Sequence, residues 1–175
     1  MEIKKSLLEY YQFCKKEEWE NAKNTLLSLE NEEKKSFWYF TNLSSVYYEL
    51  RDYQEALKYS DIAFSIEPES PLVLWDRGGV LYALKRIEEA VIFWEKIMAI
   101  EDNKIAFELT SEGIKWAISL KNDCRFRLGQ CFYLIEEDDK ALNYIDEHLR
   151  HRKRGLMSLY TKKEILNFRE KILLR

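Results

Sequence analysis

The chain has 175 residues and a mass of 21.2 kDa, with 46% hydrophobic and 34% charged residues, enough apolar material for one substantial core. Only 5 Gly and 2 Pro interrupt it, which excludes a loop-rich or low-complexity chain and points to helices joined by short connections. A formal net charge of -3 excludes a general electrostatic case for nucleic acid, yet the charge is divided: residues 148–175 hold nine Lys/Arg against two Asp/Glu, a net of +7 that leaves residues 1–147 at -10.

Taken in chain order, residues 3–36 carry Phe13, Trp19, Ala22, Leu26 and Leu29 at helical steps. Residues 37–70 repeat the plan more fully. Phe40, Leu43, Val46-Tyr47 and Leu50 form one amphipathic stripe, a tight turn falls near Arg51-Asp52, and Ala56, Leu57, Ile62-Ala63 and Ile66 form a second stripe. Pro68 stops it, because the residue before a proline is pushed out of the helical region. Residues 71–104 repeat the pair again, through Leu74, Gly78, Leu81 and Leu84, then Ile87, Ala90, Val91, Trp94 and Ile97.

Ala22, Ala56 and Ala90 stand 34 residues apart, and a fixed period of this length marks a copied supersecondary unit. The next copy, 122–155, is displaced: Ala141 follows Ala90 by 51 residues, so 105–121 is an insertion of 17. Ile114, Ala117, Ile118, Cys124, Leu128, Cys131 and Ile135 keep one rhythm, which predicts a single lengthened helix over about 112–135. Thr161-Lys162-Lys163-Glu164 has capping-box spacing, and Ile165, Phe168, Ile172 and Leu173 follow on one face, predicting a capping helix over about 161–174.

At Phe40, Leu43, Ser44, Tyr47, Leu50, Tyr53 and Ala56, continuing to Ala63 and Pro68, the chain resembles the tetratricopeptide repeat. Gly78, Leu81, Leu84 and Ala90, and again Leu128, Gly129, Phe132, Ile135 and Ala141, extend the match. The resemblance implies an all-α fold: a right-handed superhelix of antiparallel helix pairs, an α-solenoid forming one domain over 1–175. The first helix of each pair would line a concave groove that binds protein or peptide segments. Three residues depart from the pattern: Arg51 at a turn that often carries Gly, Asp102 where the previous copy has Pro68, and His148 in a small packing slot. The insertion breaks the stacking, as a kink or a protruding hairpin.

On the family register the partner-binding groove contains Trp38, Asn42 and Tyr48, then Trp75, Asp76 and Tyr82, then Phe126, Arg127 and Tyr133. Large aromatics there would grip apolar side chains while presenting polar edges. A subclass of the family clamps a C-terminal carboxylate with Lys, Asn and Arg. Here Asn42 matches alone, and Leu7, Tyr11, Leu72 and Asp76 supply no cation, so that clamp is excluded. Arg150, His151, Arg152, Lys153 and Arg154 form a basic patch, readable either as the cationic end of a helix begun by Glu136 to Asp139 or as a dock for an acidic segment. Arg125 falls at a packing position, with Asp123 or an acidic residue of the insertion as its candidate partner.

His148 and His151 lack a third metal ligand, and no phosphate loop, HExxH or GxSxG occurs. The sequence reading is therefore a non-catalytic scaffold without metal or cofactor, binding a protein partner, with neither nucleic acid nor membrane implied. The alternative is an assembly or secretion chaperone, or a toxin-neutralising or regulatory subunit, acting through the basic patch, with self-association as one mode. Cys14, Cys124 and Cys131 read as unpaired thiols, and no apolar signal core follows Met1, so the expected location is the cytoplasm.

Overall fold

The computed structural model describes residues 2–29, 36–108, 110–153 and 156–175, with side chains from residue 6 onward. They form ten helices: α1 (Glu2–Lys15), α2 (Trp19–Leu27), α3 (Phe37–Glu49), α4 (Tyr53–Ile66), α5 (Pro71–Ala83), α6 (Ile87–Ala99), α7 (Asp102–Ala106), α8 (Ile114–Leu134), α9 (Asp138–His151) and α10 (Lys162–Leu173). Contacts divide the chain into two compact units, Met1–Leu84 and Lys85–Arg175, a boundary inside the 71–104 copy. No helix among the described residues is long and apolar enough to cross a membrane.

Local chemistry sets the helix ends. Ser36 and Asp52 cap α3 and α4, their side chains accepting from the N–H groups of Tyr39 and Glu55. Pro71 opens α5 at its first turn, where no N–H is needed. Thr161 and Glu164 close a reciprocal capping box on α10. The turns inside the pairs share one device. Glu17, Arg51, Lys85 and Glu136 all adopt left-handed backbone, with φ between 59° and 65°. After α3, the Arg51 N–H donates to Tyr48 O at 3.0 Å and the Asp52 N–H to Tyr47 O at 2.9 Å, which satisfies the last carbonyls of the helix. The same pair of bonds recurs at Glu17-Glu18 and Glu136-Glu137.

In the first unit the core gathers Tyr10, Ala22, Leu26, Leu29, Tyr39, Leu43 and Val46. Tyr59 of α4 stacks on Tyr47 and Phe40 of α3, with centroids 5.3 and 6.4 Å apart. In the second unit Trp94, Ile97, Ile105, Leu128, Ile145, Ile165 and His148 are fully buried. Ala22, Ala56, Ala90 and Ala141 are fully buried as well. Gly129 shows why the neighbouring slot of α8 must be small: an added Cβ would lie 2.7 Å from Ile145 Cδ1 and 3.3 Å from Ala141 O.

The insertion becomes the end of α7 and the first two turns of α8, which reaches 21 residues where α3 and α5 have 13. Gly113, at φ 92°, provides the left-handed entry to α8. Lys121 of α8 holds Asp102 of α7 at 2.8 Å.

Candidate functional site

In the first unit, α1 and α3 bring an aromatic and amide cluster together. The Tyr10 hydroxyl donates to Asn42 Oδ1 at 2.7 Å, and Asn42 Nδ2 donates to Trp38 O at 2.7 Å. The amide is thereby fixed in orientation, with its second N–H left over among the described residues. The Trp38 ring lies edge-on to Tyr10 and Tyr11, at 6.2 and 6.5 Å, and Tyr11 is 53% exposed. Trp38, an expected groove residue, is half-buried, so this cluster has both a packed and an open side. Burial pushes the Cys14 thiol and the Tyr10 phenol up, and pushes the Glu49 carboxyl up with help from Glu17.

Asp76 is a correction. The family register places it on the groove lining, yet it is buried and bonded inside the unit. Ser44 donates to its Oδ2 at 2.7 Å and Ser45 to its Oδ1 at 3.1 Å. Ser60 is the third hydroxyl beside it, buried but short of hydrogen-bond geometry. Burial outweighs these donors and the nearby Arg77, holding the Asp76 carboxyl up at about 6. Tyr48 is half-buried against Tyr53 (5.5 Å), and Trp75 and Tyr82 are also half-buried.

In the second unit, α8 carries the other expected groove residues, and the chain's own C-terminal segment lies on them. Phe126, a second correction, is buried beneath Tyr160 and Phe168, with centroids at 4.5 and 5.8 Å. The Arg127 guanidinium lies over the rings of Trp94 and Tyr160, at 5.8 and 5.4 Å. Tyr133 packs edge-on to Phe168 and beneath the Arg175 guanidinium at 4.6 Å. Asp123 accepts from Ser158 Oγ at 2.6 Å and from the Leu159 N–H at 2.9 Å, while burial pushes its carboxyl up.

Arg125 therefore does not pair with Asp123. Its partner is Glu147 of α9, at 3.5 Å. His148 is fully buried, with Nδ1 2.7 Å from Asn122 O. A carbonyl only accepts, so the ring donates there, and burial lowers its pKa and keeps it neutral.

Most of the basic patch is engaged within the unit. Arg150 pairs with Glu147 at 3.1 Å, His151 Nδ1 donates to Glu147 O at 2.8 Å, and Arg152 Nη1 donates to Tyr160 O at 2.9 Å. Lys153 is exposed, and Arg154 lies outside the described residues. No group of three or more His, Cys, Asp or Glu among the described residues is placed to hold a metal ion.

One contributor is only half legible in the sequence and another escapes it. Tyr11 stands one period before Ser45, where the register already places it on the lining, but there only its lack of charge counted and not its ring. Ser158 carries no signal, because nothing in its neighbourhood repeats.

No family model matches the chain, and no curated protein does. Solved structures do. MamA 41-end from Desulfovibrio magneticus RS-1 superposes with TM-score 0.72 at 14% identity, covering 98% of this chain and 84% of that one. PilF of Pseudomonas aeruginosa gives TM-score 0.73 at 16% identity, over 98% and 67% of the two chains. A thermophilic TPR protein of Thermus thermophilus gives 0.68 at 16%, over 95% and 78%. At such identities the likeness is one of fold, and it agrees with the paired helices, left-handed turns and buried alanines: this chain has the tetratricopeptide-repeat fold.

Proposed function

We propose that the chain is a non-catalytic protein–protein interaction module that takes a protein or peptide segment on the α1/α3 face of its first unit. The observation that carries this is the Tyr10–Asn42–Trp38 arrangement beside exposed Tyr11. Rigid aromatics with few rotatable bonds, next to an amide held in one orientation, give a partner apolar grip and a fixed hydrogen-bond donor. Trp75 and Tyr82, half-buried on α5 of the same unit, extend the reading as further contact residues.

This face is favoured over the basic patch, because Arg150 and Arg152 are already committed to Glu147 and to the Tyr160 carbonyl. We place the protein in the cytoplasm as an adaptor or scaffold, on the ground that Cys14, Cys124 and Cys131 are all free thiols. The test is affinity capture with the tagged full chain followed by mass spectrometry, comparing wild type with Tyr11→Ala and Trp38→Ala. Truncating a central aromatic contact typically costs about 2 kcal/mol or more, roughly a thirtyfold loss. Specific partners should fall away from both variants. Recovery of the same proteins in the same yield would remove this face as the binding surface.

A further inference from the structure

We propose that residues 156–175 are an occupant held in cis on the α8 face. That face then selects a turned hydroxyl–apolar–aromatic segment, which a partner can supply in trans by displacing the arm. This rests on reading the chain as a segment-binding module, but it concerns a different surface from the α1/α3 face.

The geometry is that of recognition as much as of packing. Asp123 of α8 uses one carboxylate oxygen for the Ser158 hydroxyl and the other for the Leu159 N–H. The Ser158 Oγ also accepts from the Tyr160 N–H at 3.2 Å, so the buried carboxylate reads a tight turn through one main-chain N–H and the hydroxyl that closes it. Two residues beyond Ser158, Tyr160 drops onto Phe126, is covered by Arg127, and gives its carbonyl to Arg152. Four side chains thus fix three consecutive residues, Ser158-Leu159-Tyr160, and leave the Leu159 side chain facing solvent. The selectivity lies in the hydroxyl and the ring.

The helix that follows is seated along one narrow apolar edge. Ile165 and Ile172 are its buried residues. Beyond them and Phe168, its anchors are polar: Arg169 pairs with Asp146 at 2.6 Å, and Arg175 donates to Tyr133 O at 2.8 Å, covers the Tyr133 ring and pairs with Glu136 and Asp138 at 3.4 Å. An open depression of about 470 Å³ remains between α8 and α10, lined in part by Phe126, Gln130, Tyr160 and Phe168. Gln130 Oε1 has no hydrogen-bond partner among the described residues. Met157, Leu159, Leu173 and Leu174 are each more than half exposed, so apolar side chains stand among the charged residues of the arm's outer side. An arm seated through one narrow apolar edge and a set of exchangeable polar contacts, with an open depression beside it, can leave its seat without unfolding the pairs beneath.

The test uses a fluorescein-labelled peptide spanning residues 156–175, titrated by anisotropy into two full-length chains: wild type, and Ile165→Asp/Ile172→Asp, which loosens the arm and leaves α8 intact. The loosened chain should bind the peptide at least about tenfold more tightly than wild type, and a Ser158→Ala peptide should lose about tenfold of that, the usual weight of a hydrogen bond to a charged group. A loosened chain that keeps its helix content by circular dichroism, yet binds no better than wild type, overturns the proposal.

If the double variant loses helix, hydrogen exchange on the wild-type chain decides. Amides of residues 159–173 exchanging at least about tenfold faster than those of residues 128–132 support a detachable arm; equal protection overturns it. Partner capture plays no part in this measurement, so a failed α1/α3 reading and a failed arm reading are told apart.

Discussion

Replacing Asp76 by Asn should change how stability depends on pH, with a sign set by burial. The carboxyl sits at 8% exposure, bonded to Ser44 and Ser45, and is held up at about 6 against an ordinary 3.8. A raised value means that the folded state binds the proton more tightly than the unfolded chain. The stabilisation is therefore fully present below about pH 4 and is lost as pH rises through about 6. Between those limits wild type gives up about 3 kcal/mol from this one group.

Asn keeps a carbonyl oxygen for the Ser44 hydroxyl, turns an NH2 towards Ser45, and removes the charge. Urea unfolding followed by tryptophan fluorescence, run from about pH 4 to about pH 7.5 at fixed ionic strength, measures the variant-minus-wild-type difference; Trp19, Trp38 and Trp75 report on this unit. The difference should move in favour of Asn by about 3 kcal/mol between the two ends, whatever constant offset repacking adds. A difference that stays flat with pH would refute the reasoning. It would mean that the serine hydroxyls solvate the ionised carboxylate well enough to cancel its burial.

Gly129→Ala should gain up to about 1 kcal/mol of helix propensity but lose about 1–3 kcal/mol to overpacking against Ile145, whereas Gly79→Ala, with nothing within 4 Å of its added Cβ, should keep the gain. Thermal unfolding compares them, and equal stabilisation by both would show that the α8–α9 contact yields freely. At the turns, Arg51→Gly and Glu136→Gly should each stabilise by about 1 kcal/mol, because φ of 64° and 65° strains any residue with a Cβ. A lowered unfolding midpoint in urea would show that those side chains contribute more than their backbones lose.

The helix pairs are legible because their determinants are local and periodic. A stripe of Phe40, Leu43, Val46 and Leu50, or a capping box at Thr161 and Glu164, is written within a few residues of where it acts. Burial inside the array is less legible. The register puts Asp76 and Phe126 on the same lining as Trp38, and it cannot say that two serines 31 and 32 residues earlier draw Asp76 inward. Nor can it say that Tyr160 and Phe168 roof Phe126. These are contacts between elements, set by which side chains find partners once the helices have packed. Arg125 illustrates this: by sequence Asp123 is near enough to neutralise it, but Asp123 is taken by the arm and Glu147 of α9 is the carboxylate in reach.

The left-handed residues explain where the chain tolerates its irregularity. Glu17, Arg51, Lys85 and Glu136 each precede a buried alanine, Ala22, Ala56, Ala90 and Ala141, by five residues. The interval between turns follows the alanines, 34, 34 and then 51. The offset within a pair is therefore constant even where the period slips. A left-handed residue two positions past a helix end fixes the angle at which the second helix leaves, and the small residue one turn into that helix sets how closely the two can approach. Changing the separation of the two would place a large side chain in the close contact. The joint between pairs carries no such coupled constraint, so seventeen extra residues enter there, as the end of α7 and the first turns of α8. The pair is the unit that sequence must keep, and the joint is where this chain was free to acquire something of its own.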